Sequence, residues 1–109
     1  MNEGDREQLK AKLLSEIEEL RARLPQLKDE AKPVPPDNAV GRLSRMDAIR
    51  EKGIREAALG AAKERLSRLD ERLSHVDDPD FGKCLTCRQP IPIARLLYVP
   101  EADRCVNCA

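Results

Sequence analysis

The chain has 109 residues, 37% of them charged, with Phe81 and Tyr98 as its only aromatic side chains. That leaves little for a large globular core and favours long helices with a narrow apolar stripe, in one domain or one small domain plus an extension. Its 20 basic and 20 acidic residues cancel, which argues against holding DNA mainly through phosphates, and the scarcity of aromatics argues against stacking on single strands.

From about Asp5 to Lys32 the pattern is helical. Leu13, Ile17, Leu20, Leu24 and Leu27 alternate steps of four and three, the seam of a coiled coil. Glu16, Glu18, Glu19, Arg21, Arg23 and Lys28 supply a solvated face. Pro25 interrupts the pattern and predicts a kink or a break into two helices. Pro33, Pro35 and Pro36 then stop the helix, and Asp37 or Asn38 can cap the next one.

A second helix is expected from about Ala39 to His75. Its C-terminal half has a clean seam in Leu59, Ala62, Leu66, Leu69, Leu73 and Val76. Its first half, with Val40, Leu43, Met46 and Ile49, is looser, and the phase slips near Gly53. The small residues from Ala57 to Ala62 permit close helix approach, although each glycine weakens the helix. Two apolar seams joined by a short tip make an antiparallel coiled-coil hairpin over residues 1–76, with its tip at about 33–38. Roughly 27 paired residues at about 1.5 Å each give a rod on the order of 40 Å. No apolar run approaches the length of a membrane span.

Asp77-Asp78-Pro79-Asp80 ends that helix, and residues 77–109 form a small module. All four cysteines lie there, as two Cys-x-x-Cys knuckles, Cys84/Cys87 and Cys105/Cys108, separated by 17 residues. Each knuckle offers two sulfurs to one metal, so the spacing predicts a four-thiolate zinc site with all positions filled and a structural role. Two disulfides would suit a small secreted domain, but the chain opens Met-Asn-Glu-Gly-Asp without an apolar signal segment, and its composition suits a cytosolic helical protein. A redox dithiol would need only one pair. The zinc-deaminase pattern is absent: Val76-Asp77 follow His75, the one histidine, and Lys83 precedes Cys84. His75 reads as a helix-end residue near exposed carbonyls. With one histidine and a closed metal site, no enzyme is expected. Between the knuckles, Ile91, Ile93, Leu96, Leu97, Tyr98 and Val99, punctuated by Pro90, Pro92 and Pro100, predict a short hairpin covering the metal. The chain ends one residue after Cys108, so no further helix is expected.

Phe81-Gly82-Lys83-Cys84-x-x-Cys87, followed by Pro90-Ile91-Pro92, Arg95-Leu96, Pro100 and Cys105-x-x-Cys108, resembles the zinc-finger signature of the DksA/TraR family. The upstream hairpin extends the likeness to nearly the whole chain, and Val40-Gly41-Arg42-Leu43-Ser44-Arg45-Met46-Asp47-Ala48 resembles the short bacterial members. The resemblance implies a cytoplasmic transcription regulator that binds RNA polymerase rather than a DNA sequence. Such proteins insert the coiled-coil tip through the secondary channel and alter open-complex lifetime. On that reading Asp37, Asn38, Ala39, Arg42 and Arg45 form the partner-binding tip.

The sequence also departs from the family. Val34 stands where the first of two tip aspartates is usual. Of the basic positions associated with ppGpp, one falls on Arg68, but two fall on Val99 and Ala109, which cannot pair with phosphate. A DksA-like ppGpp response is therefore not expected. Arg88 replaces the glycine usual after the second cysteine. Residue chemistry alone also allows Asp37-Asn38 to be a helix cap and Arg42, Arg45 and Arg50 to be a solvated face. Two other function classes stand beside the polymerase regulator: an interaction protein whose coiled coil meets a different partner, and a nucleic-acid-binding zinc protein, which the zero net charge disfavours.

Overall fold

The first helix begins where a side chain can cap it. Asn2 Oδ1 accepts a hydrogen bond from the Asp5 amide at 2.7 Å, and Glu3 and Asp5 place negative charge in the first turn. In the computed structural model, which describes residues 1–32 and 45–109, the resulting α1 spans Glu3–Ala31. It runs through Pro25 without a break. The carbonyl of Arg21 loses its helical donor there, but both residues are exposed, so water can satisfy it. The expected tip at 33–38 and the start of the expected second helix at 39–44 lie outside the described residues.

The second helix, α2, spans Arg45–Ser74 and continues through Gly53 and Gly60. Cross-links between the helices fix their direction. Arg6 reaches the Val76 carbonyl, Arg21 pairs with Asp70, and Arg55 meets the Glu30 carbonyl. Low numbers on α1 meet high numbers on α2, so the pair is antiparallel. The radius of gyration is 18.9 Å, against about 13 Å for a compact domain of this length, as an extended arm requires.

Leu9, Leu13, Ile17 and Leu20 of α1 are buried, and Leu69 of α2 is fully so. Ala62, Leu66 and Leu73 pack beside them, which is the seam read from the sequence, extended by one step to Leu9. Truncating a fully buried leucine here to alanine would cost about 2–5 kcal/mol. Packing thins toward the distal end. Leu24 and Leu27 are half-buried, and Met46, Ile49 and Ile54 stand exposed. The small residues of α2 are not all used for close approach, because among the described residues a Cβ added at Gly53 or Gly60 would meet nothing within 4 Å beyond the helix's own backbone.

At its other end the seam continues into the C-terminal module. Val76, Phe81, Cys84, Ile91 and Leu96 belong to the same buried cluster as the arm leucines. Here the expected arrangement between the knuckles needs correction. An isolated antiparallel bridge joins Lys83 to Pro90, with Ile91 N donating to Gly82 O at 2.7 Å, so the hairpin lies across the first knuckle. The apolar run after it forms a short helix instead, α3, Ile93–Tyr98. Leu96 is buried and Ile93 and Leu97 are partly so, while Tyr98 points outward. Gly82 has φ +91°, a left-handed backbone that favours glycine. No helix among the described residues is long and apolar enough to cross a membrane.

Candidate metal centre

The two knuckles fold by the same local rule. Arg88 N donates to Cys84 O at 3.0 Å, and Ala109 N donates to Cys105 O at 3.0 Å. Each closes a turn that brings two cysteines of one Cys-x-x-Cys to the same side. The knuckles are joined to each other as well, since Leu85 N donates to Asp103 O at 2.9 Å. Cys84 sits deepest, fully buried in the core cluster, whereas Cys87 is exposed at the rim.

The four sulfurs lie within 4.8 Å of one another, and the Cys87 and Cys105 sulfurs are 3.7 Å apart. A tetrahedral zinc with bonds of about 2.3 Å requires sulfurs about 3.8 Å apart, so the donor set fits that ion. A disulfide needs sulfurs about 2.05 Å apart, which this spacing rules out for that pair. Thiolates are the zinc-binding form. The amide of Cys87, helped by that of Cys105, pulls the Cys84 thiol down to about 6. Its hydrogen bond with Cys108 lowers Cys105 and in turn pushes Cys108 up to about 12. The Gln89 amide acts to lower Cys87, but the neighbouring thiols of Cys84 and Cys105 together with burial leave it raised. Four thiols this close cannot all ionise without a cation among them.

His75 stands apart from this cluster, one residue beyond α2, with Nδ1 at 2.8 Å from an Asp78 carboxylate oxygen. Of the expected tip residues, Asp37, Asn38, Ala39 and Arg42 lie outside the described residues, and Arg45 is the first residue of α2.

A second set of contacts, not foreseen from the sequence, fastens the module to the arm. Arg65 of α2 bonds the Glu101 carboxylate through Nε at 2.5 Å and Glu16 of α1 through Nη2 at 3.4 Å. The Glu101 hydrogen bond holds the Arg65 guanidinium above its usual range. About two turns further along, Arg72 lies over the Phe81 ring at 4.4 Å, a cation–π contact at the entrance to the first knuckle. Burial lowers the Arg72 pKa, opposed by the nearby Asp103 charge. The two Arg65 pairs join residues far apart in sequence, so no local spacing could have announced them.

The prokaryotic dksA/traR C4-type zinc finger matches residues 79–109, and with four clustered thiols the module carries one structural zinc. A stretch of 43 residues is 40% identical to proteins named RNA polymerase-binding transcription factor DksA in Salmonella typhimurium and Escherichia coli. It covers 39% of this chain and 28% of theirs, so the chain spans little more than a quarter of the length of these curated relatives. The structure of transcription factor DksA2 from Pseudomonas aeruginosa matches with a TM-score of 0.74 at 25% identity, over 99% of this chain and 82% of that one. Residues 79–109 thus carry a dksA/traR C4-type zinc finger, and the chain as a whole, arm and finger together, is similar in three dimensions to a DksA protein.

Proposed function

We propose that this protein is a cytoplasmic, non-enzymatic regulator of transcription that binds RNA polymerase with its coiled-coil arm. The observation that carries the reading is the likeness of the whole chain, arm and finger together, to the transcription factor DksA2. Residues 1–76 act as the arm, and residues 77–109 as the zinc module at its base. Cys84, Cys87, Cys105 and Cys108 hold the zinc. Cys108→Ser should lower zinc content well below one ion per chain, whereas His75→Ala should leave it unchanged.

The arm enters the polymerase secondary channel tip first, with Asp37, Asn38, Ala39, Arg42 and Arg45 at or near the contact. Zero net charge supports a protein partner over DNA phosphates, as do the apolar side chains exposed near the distal end of α2, Met46, Ile49 and Ile54. A carboxylate brought near a metal-bearing active site acts strongly on local charge, which gives Asp37 its role in modulating initiation. Val99 and Ala109 offer no charge to ppGpp, so the effect should not depend on that nucleotide. The test is transcription from a promoter with a short-lived open complex. Asp37→Asn should keep polymerase affinity but weaken the effect on open-complex lifetime. An Asp37→Asn protein as active as the wild type would remove the tip carboxylate from the account.

A further inference from the structure

The segment leading into the second knuckle, residues 101–104, is held almost entirely by groups outside that knuckle. Leu85 N binds Asp103 O, Arg95 Nε binds Arg104 O at 3.2 Å, and Arg65 of α2 binds the Glu101 carboxylate. Only the last of these comes from the arm. Glu101 is also unusually dependent on it. One carboxylate oxygen receives the Arg65 hydrogen bond, while the other, Oε1, is buried with no hydrogen-bond partner. A carboxylate so enclosed is poorly hydrated, and its position rests on the guanidinium. Pro100, immediately before it, is fully buried, so the segment has little freedom to find another place. Four residues after Glu101 comes Cys105.

We infer that Arg65 is a positioning residue for the zinc site: through Glu101 it sets where Cys105 and Cys108 are presented, and so couples metal affinity to the packing of the arm. The inference rests on the four-cysteine zinc reading. Its physical content is linkage. If the intact arm strengthens zinc binding through Arg65, zinc must strengthen the arm by the same factor. Glu16 makes the coupling three-sided, since the same guanidinium also holds α1. The pair Arg21–Asp70, at 3.2 Å on the exposed side of the same two helices, touches no part of the module and serves as the control.

The experiment is competition for zinc between the full chain and the chromophoric chelator pyridylazoresorcinol, with helix melting followed in the presence and absence of zinc. Arg65→Ala should weaken zinc binding on the order of tenfold, the factor for losing a charge-assisted hydrogen bond. Glu101→Gln should do the same, and the double variant should be little worse than either single one. Arg65→Lys should recover part of the loss, and Arg21→Ala should leave affinity unchanged. Zinc should raise the arm's melting temperature in the wild type and clearly less in Arg65→Ala. Wild-type zinc affinity in both Arg65→Ala and Glu101→Gln would overturn the inference while leaving the zinc site intact. An equal loss in Arg21→Ala would also overturn it, by showing that any loosening of the arm suffices. A wild-type chain that binds no zinc would overturn the site and the inference together.

Discussion

Arg88 follows the second cysteine of the first knuckle with φ 63°, a left-handed conformation that costs an L-residue about 1–2 kcal/mol. Its amide closes the turn onto Cys84 O at 3.0 Å, so the knuckle cannot relieve the strain by relaxing the backbone. The side chain is exposed. Arg88→Gly should therefore remove the conformational cost, while giving back about 0.5–1 kcal/mol through the greater freedom of glycine in the unfolded chain. The net gain is about 0.5–1 kcal/mol. Because zinc binds the closed knuckle, that gain appears as zinc affinity tighter by roughly two- to fivefold, at about 1.4 kcal/mol per factor of ten. Competition with pyridylazoresorcinol measures it directly. Arg88→Ala is the control, because alanine bears the same left-handed cost and should gain nothing. If Arg88→Ala tightens zinc as much as Arg88→Gly, the effect lies in the arginine side chain and the backbone argument fails. Weaker binding in Arg88→Gly would refute it outright.

On the arm the opposite substitution should help. Gly60 lies inside α2, and among the described residues nothing beyond its own helix backbone lies within 4 Å of an added Cβ, so Gly60→Ala should stabilise the arm by about 1 kcal/mol in thermal or urea unfolding; a loss of stability would mean that α2 packs closely there after all. Glu16 gives a pH signature. Its carboxyl lies below the usual 4.5, chiefly through the Lys12 hydrogen bond and with help from the Lys12 and Arg65 charges. A depressed folded-state pKa adds stability above the unfolded value that is lost as pH falls through the folded one. Wild type should therefore exceed Glu16→Gln in melting temperature near neutral pH, and the difference should vanish once the carboxyl is protonated in acid.

Much of this architecture was legible because it depends on short-range repetition. Leu13, Ile17 and Leu20, and Leu66, Leu69 and Leu73, recur at the spacing that buries one helix face, and the knuckles announce themselves by cysteine spacing. Leu9 is buried one step before Leu13, at the seam's end, where no second neighbour marks the repeat. The apolar run from Ile91 to Val99 suggests a hairpin but forms the helix α3. In so short a run periodicity does not separate strand from helix, and Pro92, taken as punctuation, stands at the start of α3, where proline is well suited. That Val76, Phe81 and Leu96 join the arm leucines in one buried cluster could not be read locally, because only the folded chain creates those contacts. Arg88 is the instructive case of a local departure: its mismatch with glycine was visible in the sequence, and its positive φ supplies the physical reason that glycine is expected there.

The central claim is that the arm binds RNA polymerase, and the direct measurement is equilibrium binding of the zinc-loaded chain to purified RNA polymerase core. It should be made alone and in competition with a known secondary-channel factor. The account predicts binding at micromolar concentration or tighter, displacement by the competitor, and loss of binding when the tip at about residues 33–38 is removed while zinc content stays at one ion per chain. No binding at micromolar concentration by a folded, zinc-loaded chain would contradict it and leave a coiled-coil interaction protein with a different partner as the better description.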